Sequence, residues 1–224
     1  MTLAAENSIA PPLHDEILAG IREMIFTGTL IGGQRVPEKM ICEQLSISRT
    51  PLREALKVLA SEGLLELLPN RGARVSRLTA AEVDEMFPVM GALEGLAGEI
   101  ACQRITDDGI DEIRALHYQM AAHHKRRELS EYFALNQQIH EKIMAATGNA
   151  TLAGMYASLS ARIRMARYRA NFSQSRWDQA MAEHDEIMSA LADRNAPQLT
   201  QVLISHLKNT CASVKRVIAH GEAG

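Results

Sequence analysis

The sequence predicts a mainly α chain in two parts, three helices with a β-hairpin followed by an all-helical bundle. Three observations carry this. Leu, Ile, Met and Ala supply most of the 46% apolar residues while aromatics are only 4%, a balance that favours helix over strand. Two short extended runs flank the turn Pro69-Asn70-Arg71-Gly72. Beyond Arg77 apolar residues recur at helical spacing almost to the end of the chain.

Residues 1–10 read as a loose tail, and residues 11–77 as the first folded unit. Ile17, Leu18, Ile21, Met24 and Ile25 follow a helical period, and Gly28 with Gly32-Gly33 breaks it. A short helix fits Glu38 to Leu45, with Met40, Ile41 and Leu45 inward. Ser46-Ile47 is a tight connection. Ser48 or Thr50 is placed to cap the next helix, and Pro51 suits a first turn. That helix has Leu52, Ala55, Leu56 and Leu59 on one face and Arg49, Arg53 and Lys57 on an edge, and it ends near Gly63. Leu64–Leu68 and Ala73–Arg77 then read as the arms of a hairpin. Three helices and a hairpin make a winged helix-turn-helix.

The second unit, 79–219, opens with the capping box Thr79-x-x-Glu82. Helices are expected near 79–105, 107–125, 129–146, 149–172, 175–194 and 197–219. Pro88 is expected to kink the first. Gly91, Gly95 and Gly98 fall on one stripe of it and imply close backbone approach or room for a ligand.

Composition narrows the function classes. No apolar run approaches the ~20 residues a membrane-spanning helix needs, and the first residues lack the pattern of a secretory signal. Three scattered cysteines with no CxxC read as reduced thiols in a cytoplasmic protein. The net charge of −3 excludes a uniformly basic surface but not a local patch. Residues 12–77 hold nine Lys and Arg against eight Asp and Glu, so any DNA-binding surface must concentrate its cations.

Such a surface is in view. A recognition helix enters the major groove by its N-terminal end. Arg49 and Arg53 stand one turn apart, and arginine suits bidentate contact with guanine. Ser48 and Thr50 reach phosphates or bases, Lys39 reaches the backbone, and Arg71-Gly72 forms a wing tip small enough for a minor groove. The alternative is a solvated helix edge.

In the helical unit, Asn136 and His140 are one turn apart. His184 is centred on the apolar face of Met181, Ile187, Met188 and Leu191, and His206 on that of Leu199, Val202, Leu203 and Thr210. Each His alone reads as a hydrogen-bonded core residue. Together, three imidazoles and an amide oxygen suit a divalent transition metal, zinc or nickel first, with positions left for water or a carboxylate. His14, His117, His123, His124 and His220 read as surface positions. An acidic effector would want a cation nearby. Arg162 flanks the apolar face of its helix, and Arg169 lies two turns on. Trp177, the only Trp, either closes a cavity or packs the core.

The ordered residues Gly33, Glu38, Leu45, Ser48-Arg49-Thr50-Pro51, Arg53-Glu54-Ala55-Leu56, Leu59, Glu62-Gly63-Leu64, Arg71-Gly72 and Val75 resemble the GntR family of bacterial transcription regulators. The resemblance implies DNA contacts at Lys39, Arg49, Arg53 and Gly72; an Arg is common where Lys39 stands. Leu93-Glu94, Asn136-x-x-x-His140, Gly148-Asn149, Leu152, Glu183-His184, Ile187, Ala190-Leu191 and His206-Leu207 resemble the FCD ligand-binding domain of its FadR subfamily. That implies a metal held by residues 136, 140, 184 and 206, with a small organic acid reaching it. The first ligand is often Asp; here it is Asn136. The reading is therefore a non-enzymatic regulator, a homodimer on a palindromic double-stranded operator, with no membrane role. Two alternatives stay open: a metalloenzyme built on His140, His184 and His206, or a metal-free acyl-CoA sensor.

Overall fold

A computed structural model describes residues 13–69, 71–170 and 174–221, with side chains throughout except at 13, 167–170, 220 and 221. The expected tail, 1–10, lies outside the described residues. The chain divides after Arg77 into two compact units.

The first unit is built as the apolar spacing requires. Helix α1 (Leu13–Phe26) buries Ile17, Leu18, Ile21, Met24 and Ile25. Helix α2 (Glu38–Gln44) buries Ile41. Met40, expected inward, is instead exposed: a seven-residue helix has room for only one inward stripe, and Ile41 fills it. Ser46 makes the turn to α3 with φ 53°, a left-handed conformation uncommon outside glycine. Helix α3 (Arg49–Ser61) buries Leu52, Ala55, Leu56 and Leu59, and Ser48 is its N-cap by position without a side-chain capping bond.

Strands β1 (Leu65–Leu68) and β2 (Gly72–Val75) pair antiparallel, Leu65 opposite Val75 and Leu68 opposite Gly72. A third segment joins this ribbon, which the sequence pattern did not indicate. Val36 N–H donates to Ala73 O and Val75 N–H to Gln34 O, both at 2.9 Å, and Arg35 bridges Arg74. Gly33, at φ 85°, is required beside it: a Cβ there would meet Arg77 Nε at 2.1 Å.

The second unit holds α4 (Ala80–Arg104), α5 (Asp107–Arg126), α6 (Leu129–Ala146), α7 (Ala150–Ala170), α8 (Gln174–Ala192) and α9 (Ala196–Gly221). The capping box forms as its sequence implies: Glu82 N–H donates to Thr79 Oγ1 and Thr79 N–H to Glu82 Oε2. Helix α4 continues through Pro88 and packs along α9. Its glycines divide in role. Cβ atoms at Gly95 and Gly98 would come within 3.0 Å of Ile204 and 2.8 Å of Leu203, so close packing needs them. At Gly91 nothing stands within 4 Å. Trp177, Tyr132, Ile139, Ile187, Leu191 and Leu203 belong to one core cluster of this bundle.

Candidate functional site

Two sites emerge, one in each unit. In the first, the exposed residues Ser48, Arg49 and Thr50 begin α3, and Arg53 lies exposed one turn later. The wing folds back toward them. A Cβ on Gly72 would sit 2.7 Å from Glu38 Oε1, while Glu38 Oε2 lies 3.7 Å from Arg53 Nε. The wing tip, the start of α2 and the first turns of α3 thus share one surface. Lys39 follows Glu38 in α2 and is largely exposed, 3.8 Å from Glu43. Arg71 is exposed beside Gly72. Lys57 turns to Glu54 at 2.7 Å.

The second site is buried. His140 on α6, His184 on α8 and His206 on α9 each offer a nitrogen, and these atoms lie within 4.8 Å of one another. Their ring centroids stand 5.0–5.4 Å apart. Asn136, one turn before His140, donates from Nδ2 to His184 Nε2 at 2.7 Å. All four side chains are buried, because each occupies the inward stripe of its helix.

Carboxylates orient two of the rings. Glu94 of α4 lies 3.1 Å from His140 Nδ1 and is itself buried. His206 Nδ1 donates to Glu183 Oε2 at 2.6 Å. Each leaves Nε2 as the ring's inward atom, and His140 Nε2 is buried without a hydrogen bond. Buried polar atoms are rarely left so. An imidazole whose far nitrogen meets a carboxylate is the common arrangement at metal sites, and this donor set fits a zinc- or nickel-like ion.

Arg176 is the functional residue that sequence reasoning missed. Its guanidinium, fully inside the bundle, donates Nη1 to Glu183 Oε1 (3.1 Å) and Nη2 to Glu183 Oε2 and Thr210 Oγ1 (both 2.9 Å). Asn209 Nδ2 adds a bond to Glu183 Oε1 at 2.8 Å. Burial alone would raise the Glu183 carboxyl; the hydrogen bond from His206 and the Arg176 charge outweigh it and hold it below the ordinary carboxylate range. A signal existed: Arg176 and Glu183 are seven apart on one helix, two turns on the same face.

The remaining expected residues fall elsewhere. Arg162, expected at an acidic effector, pairs its guanidinium with Glu82 of the capping box. The side chain of Arg169 lies outside the described residues. Trp177 packs edge-on against Tyr132 and His124, with centroids 5.3 and 5.1 Å away. His117, read as a surface position, is buried, with Nε2 3.0 Å from Asp185 of α8. Its neighbour on α5 could not reveal a partner on another helix. Burial raises the Cys102 and Cys211 thiols above the ordinary thiol range.

An arginine-bearing helix presented with a wing, ahead of a separate helical unit with a buried histidine cluster, defines a DNA-binding regulator of two functional parts. Residues 13–75 match the bacterial regulatory proteins of the gntR family, and residues 85–209 match the FCD domain. The chain belongs to the GntR family and carries an FCD domain. The HTH-type transcriptional regulator YdhC of Bacillus subtilis is 26% identical over 94% of this chain and 95% of its own. The Nta operon transcriptional regulator of Aminobacter aminovorans is 30% identical over 83% and 87%. Among solved structures, E. coli McbR/YncC superposes with a TM-score of 0.83 at 19% identity, over 92% of this chain and 99% of that one, and shares the fold. The protein is a DNA-binding transcription regulator rather than an enzyme. Among the described residues no helix is long and apolar enough to cross a membrane.

Proposed function

We propose that the protein is a metabolite-responsive regulator whose operator affinity is set by a small carboxylate bound at a metal in the helical unit. The observation that carries this is the buried convergence of His140, His184 and His206 beside Asn136. The three imidazoles would hold a divalent ion, zinc or nickel, joined by the Asn136 amide oxygen once the amide turns it inward in place of the Nδ2 now bonded to His184. When bound, the ion supplies Lewis-acid positions for a carboxylate. Glu94 and Glu183 keep two of the rings turned inward.

On the DNA side, Arg49 and Arg53 read base edges, with Ser48 and Thr50 at the helix start. Lys39 and Arg71 meet phosphates, and Gly72 lets the wing approach the minor groove. Two copies related by a two-fold axis would read half-sites about one helical turn apart. Control of an operon is what the names of relatives such as the Nta operon regulator describe.

Two assays test the reading. In a gel shift on the DNA upstream of its own gene, the wild type binds and Arg49→Ala does not; equal binding refutes the assignment of α3. In a thermal-shift screen of small organic acids, stabilisation should appear with zinc and vanish with chelator or in His184→Ala. Stabilisation that survives both would refute the metal-held effector.

A further inference from the structure

The outer face of the wing carries a charge arrangement that neither α3 nor the wing tip needs. The Gln34–Val36 segment pairs with β2 so that Arg35 stands directly opposite Arg74. The bonds flanking them, Val36 N–H to Ala73 O and Val75 N–H to Gln34 O, make theirs the non-hydrogen-bonded kind of antiparallel pair. Such pairs bring side chains closest, with Cα atoms about 4.5 Å apart. Like charges set opposite each other are destabilising. The inward neighbours Val36, Ala73 and Val75 are buried, so the pleat sends both arginines to solvent.

The third residue of this row is Glu66, opposite Arg74 on β1, and it offers only a loose contact at 3.7 Å. Arg35 and Arg71 have no acidic partner among the described residues. Together Arg35, Arg71 and Arg74 line an open pocket of about 570 Å³ floored by Gly33, Leu68 and Pro69. A concave surface lined by three arginines, two of them at directly paired positions of neighbouring strands, suits an anion with several oxygens. Arginine's planar fork matches phosphate geometry.

We infer that this face is a second phosphate-binding surface, gripping the DNA backbone that flanks the half-site read by α3. The inference rests on the proposed DNA-facing surface, because Arg71 belongs to both the wing tip and this pocket. The contact is to phosphate, so it adds affinity for any duplex and none for a particular sequence. It also extends the protected DNA outward from the half-site.

The test measures binding of the full chain to a random-sequence duplex by fluorescence anisotropy across a salt series. Replacing Arg35 and Arg74 together with Ala should flatten the log–log salt slope by about 1.8, roughly 0.9 for each lost phosphate contact. Between about 50 and 200 mM salt, the fall in affinity should then be about 12-fold smaller than for wild type. Arg35→Lys with Arg74→Lys keeps both charges and should keep the slope. The Ala pair should melt close to wild type, since the one ion pair it removes is the loose, exposed Arg74–Glu66 contact. An unchanged slope in the Ala pair, or a slope lost equally in the Lys pair, overturns the inference. Arg49→Ala on the upstream DNA separates the two readings. If it abolishes binding while the Ala pair keeps its slope, only the wing contact is wrong; if it binds normally, the assignment beneath fails.

Discussion

Replacing Arg176 with Leu should destabilise the helical unit and weaken the proposed metal site at once. The guanidinium is 2% exposed and the Glu183 carboxylate 12%, with their closest atoms 2.9 Å apart. At an effective dielectric constant of about 20, the gross attraction is roughly 6 kcal/mol. Desolvating both groups cancels much of that, yet removing one partner strands a buried charge, for a net loss of about 3–5 kcal/mol. For a unit of about 150 residues each kcal/mol moves Tm by about 2–4 °C, so the expected fall is about 6–20 °C by scanning calorimetry. Glu183→Gln in the Leu background should recover part of it, because no charge is then left unpaired. The second readout is zinc affinity by competition with a chromophoric chelator. Glu183 holds the His206 ring, and loss of such an outer support weakens metal binding by about 10–100-fold. A Tm change under about 2 °C together with unaltered zinc affinity would show that the Arg176–Glu183 fork supports neither the fold nor the site.

Four further outcomes follow from local geometry. Thr79→Ala should cost about 1 kcal/mol by removing the cap of α4. Its partner Glu82 is held below the ordinary value of 4.5 by the backbone hydrogen bond from Thr79, with the Thr79 hydroxyl and Arg162 adding to this against burial. That contribution is therefore present above pH 4.5 and lost as pH falls through the lowered value, so the Tm gap between wild type and Glu82→Gln should close in acid. Gly98→Ala should cost about 1–3 kcal/mol because its Cβ meets Leu203 at 2.8 Å, whereas Gly91→Ala, with open space, should gain up to about 1 kcal/mol; thermal melts that rank them the other way would refute the packing assignment. Glu38→Gln removes a carboxylate from the surface shared by Arg53 and Gly72. It should raise affinity for any duplex about fivefold, roughly 1 kcal/mol, in an anisotropy titration.

What the sequence made readable is what local spacing carries. Ile17, Ile21, Met24 and Ile25 define the inner face of α1 by period alone, and Thr79-x-x-Glu82 announces the start of α4. His184 and His206 each sit at the centre of an apolar face, so their burial was readable, and their convergence with His140 came from the family resemblance. Most of the misses share one cause: partners distant in sequence. Gln34–Val36 pairs through backbone bonds, which leave no side-chain pattern. His117 is covered from α8, and Arg162 is held by Glu82, 80 positions away. Arg176 has Glu183 within reach on its own helix, but its burial against Thr210, 34 positions away, comes from the fold. Charged residues look solvated in a sequence because burial of a charge depends on a counter-charge that only the fold supplies.

The ion pairs of the first unit sort by distance, and the sorting explains how a chain of net charge −3 can still hold DNA. Arg22–Glu62 and Lys57–Glu54 are tight, at 2.5 and 2.7 Å, and their cations lie outside the proposed DNA-facing set. Lys39–Glu43, Arg53–Glu38 and Arg74–Glu66 are loose, at 3.8, 3.7 and 3.7 Å, and their cations are the ones assigned to phosphates or bases. Exposed pairs at such separations are worth about 0–1 kcal/mol, less than a charge-assisted bond to phosphate supplies. Each of these acids can therefore be displaced at small cost when a phosphate approaches its cation.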